Sequence, residues 1–167
     1  MDYSEDWQLI TKSHEENSKK YMELLPETDD LSLITLKGHL IIEEILNFII
    51  EKHCNYPKYL KDARLTFAQL ICLTKALISL PMQGCCFPLI TKLNKLRNEL
   101  AHNITTEKAD KLATELVELC NTTEIEDERP LPQKVKLAIC YIIGQLSVIG
   151  SVSELVNDMP NKPIKQD

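Results

Sequence analysis

Arg97, Asn98 and His102 are the residues whose types and spacing could do chemistry, and all three lie in one helical stretch, LITKLNKLRNELAHNI, residues 89–104. A guanidinium keeps its charge and offers a fork of donors that matches phosphate oxygens. An imidazole titrates near neutrality and can take or give a proton. Asn98 could hydrogen-bond a phosphate, a ribose or His102. Such a set suits acid–base chemistry at a phosphate ester, in which a base moves a proton and a cation offsets the charge building on the phosphate. Asn94 and Lys95 are the neighbouring candidates for substrate contact.

The helix must position these groups. At about 100° per residue, Leu89, Leu93, Leu96, Leu100 and Ile104 share a sector about 80° wide, which is the expected core stripe. Asn94, Asn98 and His102 follow one another at i, i+4 and i+8 on the opposite side, with Arg97 at the border. Ala101 beside this row leaves room for something to come close. Lys92 and Lys95 add positive charge, and Glu99 removes some. Within one chain Arg97 and His102 stand about 7.5 Å apart along the axis and about 140° around it, so the two side chains diverge. A two-fold dimer would bring two copies of the helix together across a cleft.

Hydrophobic spacing of three and four recurs along the chain without sustained alternation, which predicts an all-α, single-domain bundle of five to six helices. The first spans about 4–25 and carries Trp7, Ile10, Tyr21, Leu24 and Leu25 as a cover. The second follows the cap candidates Asp29 and Asp30 and runs to His53. It is expected to bury Leu36, Leu40, Ile41, Ile45, Phe48 and Ile49 and to leave Lys37, Glu44 and Glu51 as a polar stripe. Gly38 inside it should admit a close neighbour, and His39 reads as a hydrogen-bonded packing residue. A loop, CNYPKYLKDA, leads to a third helix near 65–80. SLPMQGCCFP then forms a turn-like approach to the fourth, with Pro88 near its first turn. Thr105 or Thr106 caps a fifth helix ending near Cys120, and a sixth covers about 133–158 before a fraying 159–167 tail. The core is expected in 31–120, with the first and last helices packed on it.

The composition, 44% hydrophobic with four glycines in 167 residues, is that of a globular protein. A net charge of −6 argues against a protein wrapped in nucleic acid. A small basic site on an acidic body is still allowed. Lys58, Lys61 and Arg64 form one basic segment, and Lys92, Lys95 and Arg97 another. The six cysteines show no CxxC pair and read as reduced, buried thiols, with no metal site. The apolar segment 135–152 is broken by Lys136, Gln145 and Ser147 and reads as a buried or interfacial helix, so no membrane partner is expected and the location is cytoplasmic. No glycine-rich phosphate loop or nucleophile elbow is present, and no cofactor is expected.

RNELAH, residues 97–102, resembles the Arg, polar residue, three further residues, His motif of the HEPN superfamily of small helical domains. LKGHLIIEEILNFII is similar to that family's earlier long helix, and LTFAQLICLTKAL to the helix leading into the motif, so the likeness covers about 31–120. It implies a ribonuclease acting as a homodimer, with Arg97, Asn98 and His102 in a composite site, an RNA substrate, and control by an antitoxin partner in a toxin–antitoxin or phage-defence system. The acidic net charge and the long sixth helix depart from it. Other members are non-catalytic regulators similar to the mannitol operon repressor, in which the same residues would form a dimer seam. A third reading is an adaptor using the first or sixth helix as its partner surface.

Overall fold

Asp30 opens the helix at the centre of the molecule. Its Oδ1 accepts from the backbone N–H of Ser32 at 2.9 Å and of Leu33 at 3.0 Å, satisfying two donors that the first turn leaves unpaired. The computed structural model describes residues 15–16, 18–78, 83–103, 107–120 and 128–158, the side chains at 61, 83–85 and 153–158 excepted. Every regular element among them is helical: α1 Leu31–Lys52, α2 Leu60–Ala63, α3 Phe67–Leu77, α4 Gln83–His102, α5 Glu107–Cys120 and α6 Leu131–Asp158, with a 3-10 turn at Pro57–Tyr59. The described residues therefore form an all-α bundle. Trp7, Ile10, Ile104, the cap candidates Thr105 and Thr106, and the 159–167 tail lie outside them.

α1 packs along α6 and also meets α3 and α4, while α5 lies against α4 and α6. Ile34, Ile42, Leu46 and Ile49 of α1, Leu93 and Leu96 of α4, Ala113 and Leu116 of α5, and Ile139, Ile142 and Leu146 of α6 are wholly buried in one cluster. α6 is thus part of the core and more than a cover on 31–120. It begins at Leu131, where Gln133 Nε2 donates to the Thr28 carbonyl at 2.9 Å and to Asp29 Oδ1 at 2.8 Å, and Lys136 meets Glu27 at 2.6 Å. By length and composition Leu131–Val152 could cross a membrane, yet 56% of that window is buried inside the bundle.

Gly38 shows how tight the α1–α6 seam is. A Cβ at this position would lie 2.6 Å from Ile139 Cδ1 and 2.8 Å from its Cγ2. The glycine thus admits a branched side chain of α6. α3 starts with a capping box that the sequence pattern T-x-x-Q encodes: the Thr66 N–H donates to Gln69 Oε1 at 2.8 Å, and the Gln69 N–H donates back to Thr66 Oγ1.

Four expectations need correction. α4 begins at Gln83, so Cys86, Phe87 and Pro88 are helical where a turn was expected. Pro88 removes one internal hydrogen bond, a loss of about 3 kcal/mol, while burying Phe87 and Cys86 completely supplies a gain of similar size. Leu36 and Leu40 are 42% and 49% exposed and share the outer face of α1 with Leu33, because α3, α4 and α6 occupy the other sides. Cys72 is exposed, although Cys86 and Cys120 are buried as expected. CNYPKYLKDA is a loop only in part, since it holds the 3-10 turn and α2.

Candidate functional site

Leu89, Leu93 and Leu96 face the core as their spacing predicts, and this fixes the rotation of α4. The polar row on its other side then turns as it climbs. Each i to i+4 step advances about 40°, so Asn94 and His102 differ by about 80°. His102 and Asn98 emerge into solvent, while Asn94 turns toward α1 and is half-buried. There Asn94 Oδ1 meets His39 Nε2 at 3.2 Å. The row expected on one exposed face is divided: Asn94 holds the fold together, and Asn98 and His102 remain outside.

His39 is 5% exposed and stacks on Phe67 with ring centroids 3.9 Å apart. Burial pushes its imidazole below the ordinary value and Arg97 adds to the push, while the Asn94 hydrogen bond and the Glu43 carboxylate oppose it. A neutral ring that donates from Nε2 to Asn94 leaves Nδ1 as an acceptor. Nδ1 has no hydrogen-bond partner and stands 3.8 Å from Glu43 Oε2. The packing role read for His39 from sequence agrees with this geometry.

Arg97 is half-buried in the same seam. Its Nη1 donates to Asn98 Oδ1 at 3.2 Å, but its Nε is buried without a partner. Facing it on α1 is Thr35, fully buried, whose hydroxyl is also unpartnered. Both residues line a cavity of about 120 Å³ together with Ser32, Leu36, Leu100 and Ala101. A buried donor left unpaired costs about 1–3 kcal/mol, so two beside one small cavity are a reason to look for a ligand. The Arg97 guanidinium and the Ser32 hydroxyl are the polar groups at the cavity, while Arg97 Nε and the Thr35 hydroxyl are closed off from solvent behind its lining.

The nearby charges are largely engaged. Lys92 pairs with Glu115 at 2.6 Å and lowers the pKa of that carboxyl through their hydrogen bond. Glu99 takes Lys108 at 2.5 Å and the Asn103 amide at 2.8 Å. Lys95 is exposed and acts on Glu115 of α5, and it does not line the Arg97 cavity. His102 is absent from the lining too, so one chain does not bring Arg97 and His102 onto one ligand. Among the described residues no three of His, Cys, Asp and Glu converge on a possible metal position.

Sequence reasoning missed Thr35 and Ser32. A signal was available: Thr35, His39 and Glu43 form an i, i+4, i+8 polar row on α1 separate from the Lys37, Glu44 and Glu51 stripe, and such a row inside a core needs partners on the facing element. No family model, curated protein or solved structure matches this chain.

Proposed function

We propose that the chain is a metal-independent endoribonuclease of HEPN type, acting as a homodimer in which Arg97 and Asn98 of one subunit and His102 of the other act on one phosphodiester. The observation that supports this reading is a half-buried Arg97 lining a small cavity with Ser32 and Thr35, its Nε and the Thr35 hydroxyl both without a partner. The likeness to the superfamily rests on the residues and their placement alone. The exposed apolar row Leu33, Leu36 and Leu40 next to that cavity, with Ala101 on its rim, offers a seam for a second copy.

In this mechanism His102 takes the proton from a ribose 2′-OH, and the oxygen attacks the adjacent phosphorus. The bond to the 5′-oxygen breaks, and that oxygen takes a proton from solvent water, leaving a 2′,3′-cyclic phosphate and a 5′-hydroxyl. Arg97 holds the non-bridging oxygens as charge builds on them. A toxin or phage-defence role, restrained by an antitoxin-like protein, follows from the same reading.

The test is RNA cleavage by purified protein in excess chelator. The parent cuts, and Arg97→Ala and His102→Ala each lose about 10²- to 10³-fold. Unchanged cleavage by both variants removes the mechanism.

A second reading, a non-catalytic regulator with HEPN-like architecture, is favoured by the same Leu33, Leu36 and Leu40 row and by the Arg97–Asn98 hydrogen bond, which would set the register of a dimer seam. It predicts that Arg97→Ala dissociates the dimer in sedimentation, whereas the ribonuclease reading predicts an inactive dimer.

A further inference from the structure

Tyr56 and Tyr59 are 70% and 64% exposed, more than any other large apolar or aromatic side chain among the described residues. Their exposure comes from a firmly held turn. Pro57 fixes the backbone at the start of the 3-10 turn, and the Tyr59 N–H donates to the Tyr56 carbonyl at 3.2 Å. Tyr56, the residue that caps the turn, and Tyr59, its last residue, bring their rings together. They meet edge to face, with centroids 6.5 Å apart and planes 61° apart, an arrangement that leaves broad ring faces open.

The charge of the segment that carries them is opposite to that of the chain as a whole, with Glu43, Glu44 and Glu51 of α1 across a groove from Leu60, the residue after Tyr59. Residues 52–64 carry Lys52, Lys58, Lys61 and Arg64 against the single carboxylate of Asp62, in a protein of net charge −6. Lys58 Nζ lies 5.0 Å from the Tyr59 ring centroid. Arg64, exposed at the end of α2, has a φ of 46° and is the one non-glycine residue among those described in the left-handed region. Strain of this kind concentrates where a loop has work to do.

We infer that Tyr56 and Tyr59 form a base-stacking platform for single-stranded RNA, with Lys58 and Arg64 meeting its phosphates. The inference rests on the ribonuclease reading and adds to it where the strand is held away from the cut. Open aromatic faces interleaved with cations suit stacked bases on a charged backbone, and any base can be accepted, because each has a π-face. The platform adjoins Leu60, which shares a groove with Leu40, Glu43, Glu44 and Glu51 of α1, whereas the Arg97 cavity adjoins Ser32 and Leu36 near the start of that helix. Glu43, Glu44 and Glu51 line the face of α1 between them, so a strand does not run along that face. The platform anchors bases remote from the cut, and its effect appears in binding rather than in the chemical step.

The experiment measures binding of a labelled oligouridylate to the His102→Ala protein, which holds RNA without cutting it, with and without Tyr56→Ala/Tyr59→Ala. Affinity should fall about ten- to hundredfold in the alanine pair and be restored in Tyr56→Phe/Tyr59→Phe, which keeps both rings. With His102 intact, the alanine pair should cut a trinucleotide at the parental rate. Equal binding by the alanine pair and its parent overturns the platform and leaves the ribonuclease reading standing. Loss of binding in the phenylalanine pair equal to that in the alanine pair overturns it too. A parent that binds oligouridylate through these tyrosines yet never cuts RNA supports the platform and removes the ribonuclease.

Discussion

The two sides of α1 are packed by different rules. Toward α6 it presents Gly38 and Ile42 to a dry wall around Ile139, which is set into the space that a Cβ would take, while farther along a cavity of about 230 Å³ lies between Ile45 and Phe48 of α1 and Ser147 and Ser151 of α6. Toward α4 it presents Thr35 and His39, which face Asn94 and Arg97 across a polar seam with three unpartnered polar atoms and a small cavity. At Gly38 the α1–α6 seam is filled to contact, whereas at Thr35 and His39 the α1–α4 seam is polar and leaves atoms unpaired at an energetic cost.

That contrast can be tested by substitution. The largest stability effect belongs to the dry side: Ile139→Ala empties a fully buried site and should cost about 2–5 kcal/mol by chemical denaturation. Gly38→Ala should also destabilise, because the collision with Ile139 outweighs the roughly 1 kcal/mol that alanine gains in a helix. The two losses should be less than additive, since shortening Ile139 removes the collision. If Gly38→Ala were neutral, the seam would be looser than its distances imply.

A smaller effect is expected on the polar side. Asn94→Ala strips the acceptor from His39 Nε2 and should cost about 1–3 kcal/mol, with less effect on RNA cleavage than either catalytic substitution. The smallest effect is in pH dependence. Burial holds His39 below its ordinary value, so between that value, about 6.5, and the lower folded one the unfolded chain binds a proton that the folded chain refuses. The His39 contribution is therefore fully present above about pH 6.5 and is lost as pH falls through the folded value. Parent and His39→Gln should differ in stability slope only in that window. Parallel profiles would show that His39 is not held neutral by the seam.

These two seams also show what the sequence could and could not reveal. The stripe Leu89, Leu93 and Leu96 was legible, because one regular period on one helix leaves a single solution. Asp30 as a cap was equally clear, since capping is local chemistry. Leu36 and Leu40 were misplaced because α1 is apolar on more than one face, and periodicity does not say which face the neighbours cover. Pro88 and Gly84 suggested a turn, but burial of Phe87 and Cys86 prevailed over local preference. At the site, Arg97, Asn98 and His102 were visible as residue types at a spacing. Thr35 could be joined to them only by the packing of α1 on α4, which is tertiary information.

The central claim is that Arg97 of one subunit and His102 of its partner serve the same phosphate. Subunit complementation tests it most directly. Arg97→Ala and His102→Ala proteins are each inactive on RNA in chelator, then unfolded together and refolded as a mixture. Random pairing in a two-fold dimer should return roughly a quarter of the parental rate, because half of the dimers are mixed and each mixed dimer holds one intact pair. A mixture as inactive as its two components would contradict the composite site.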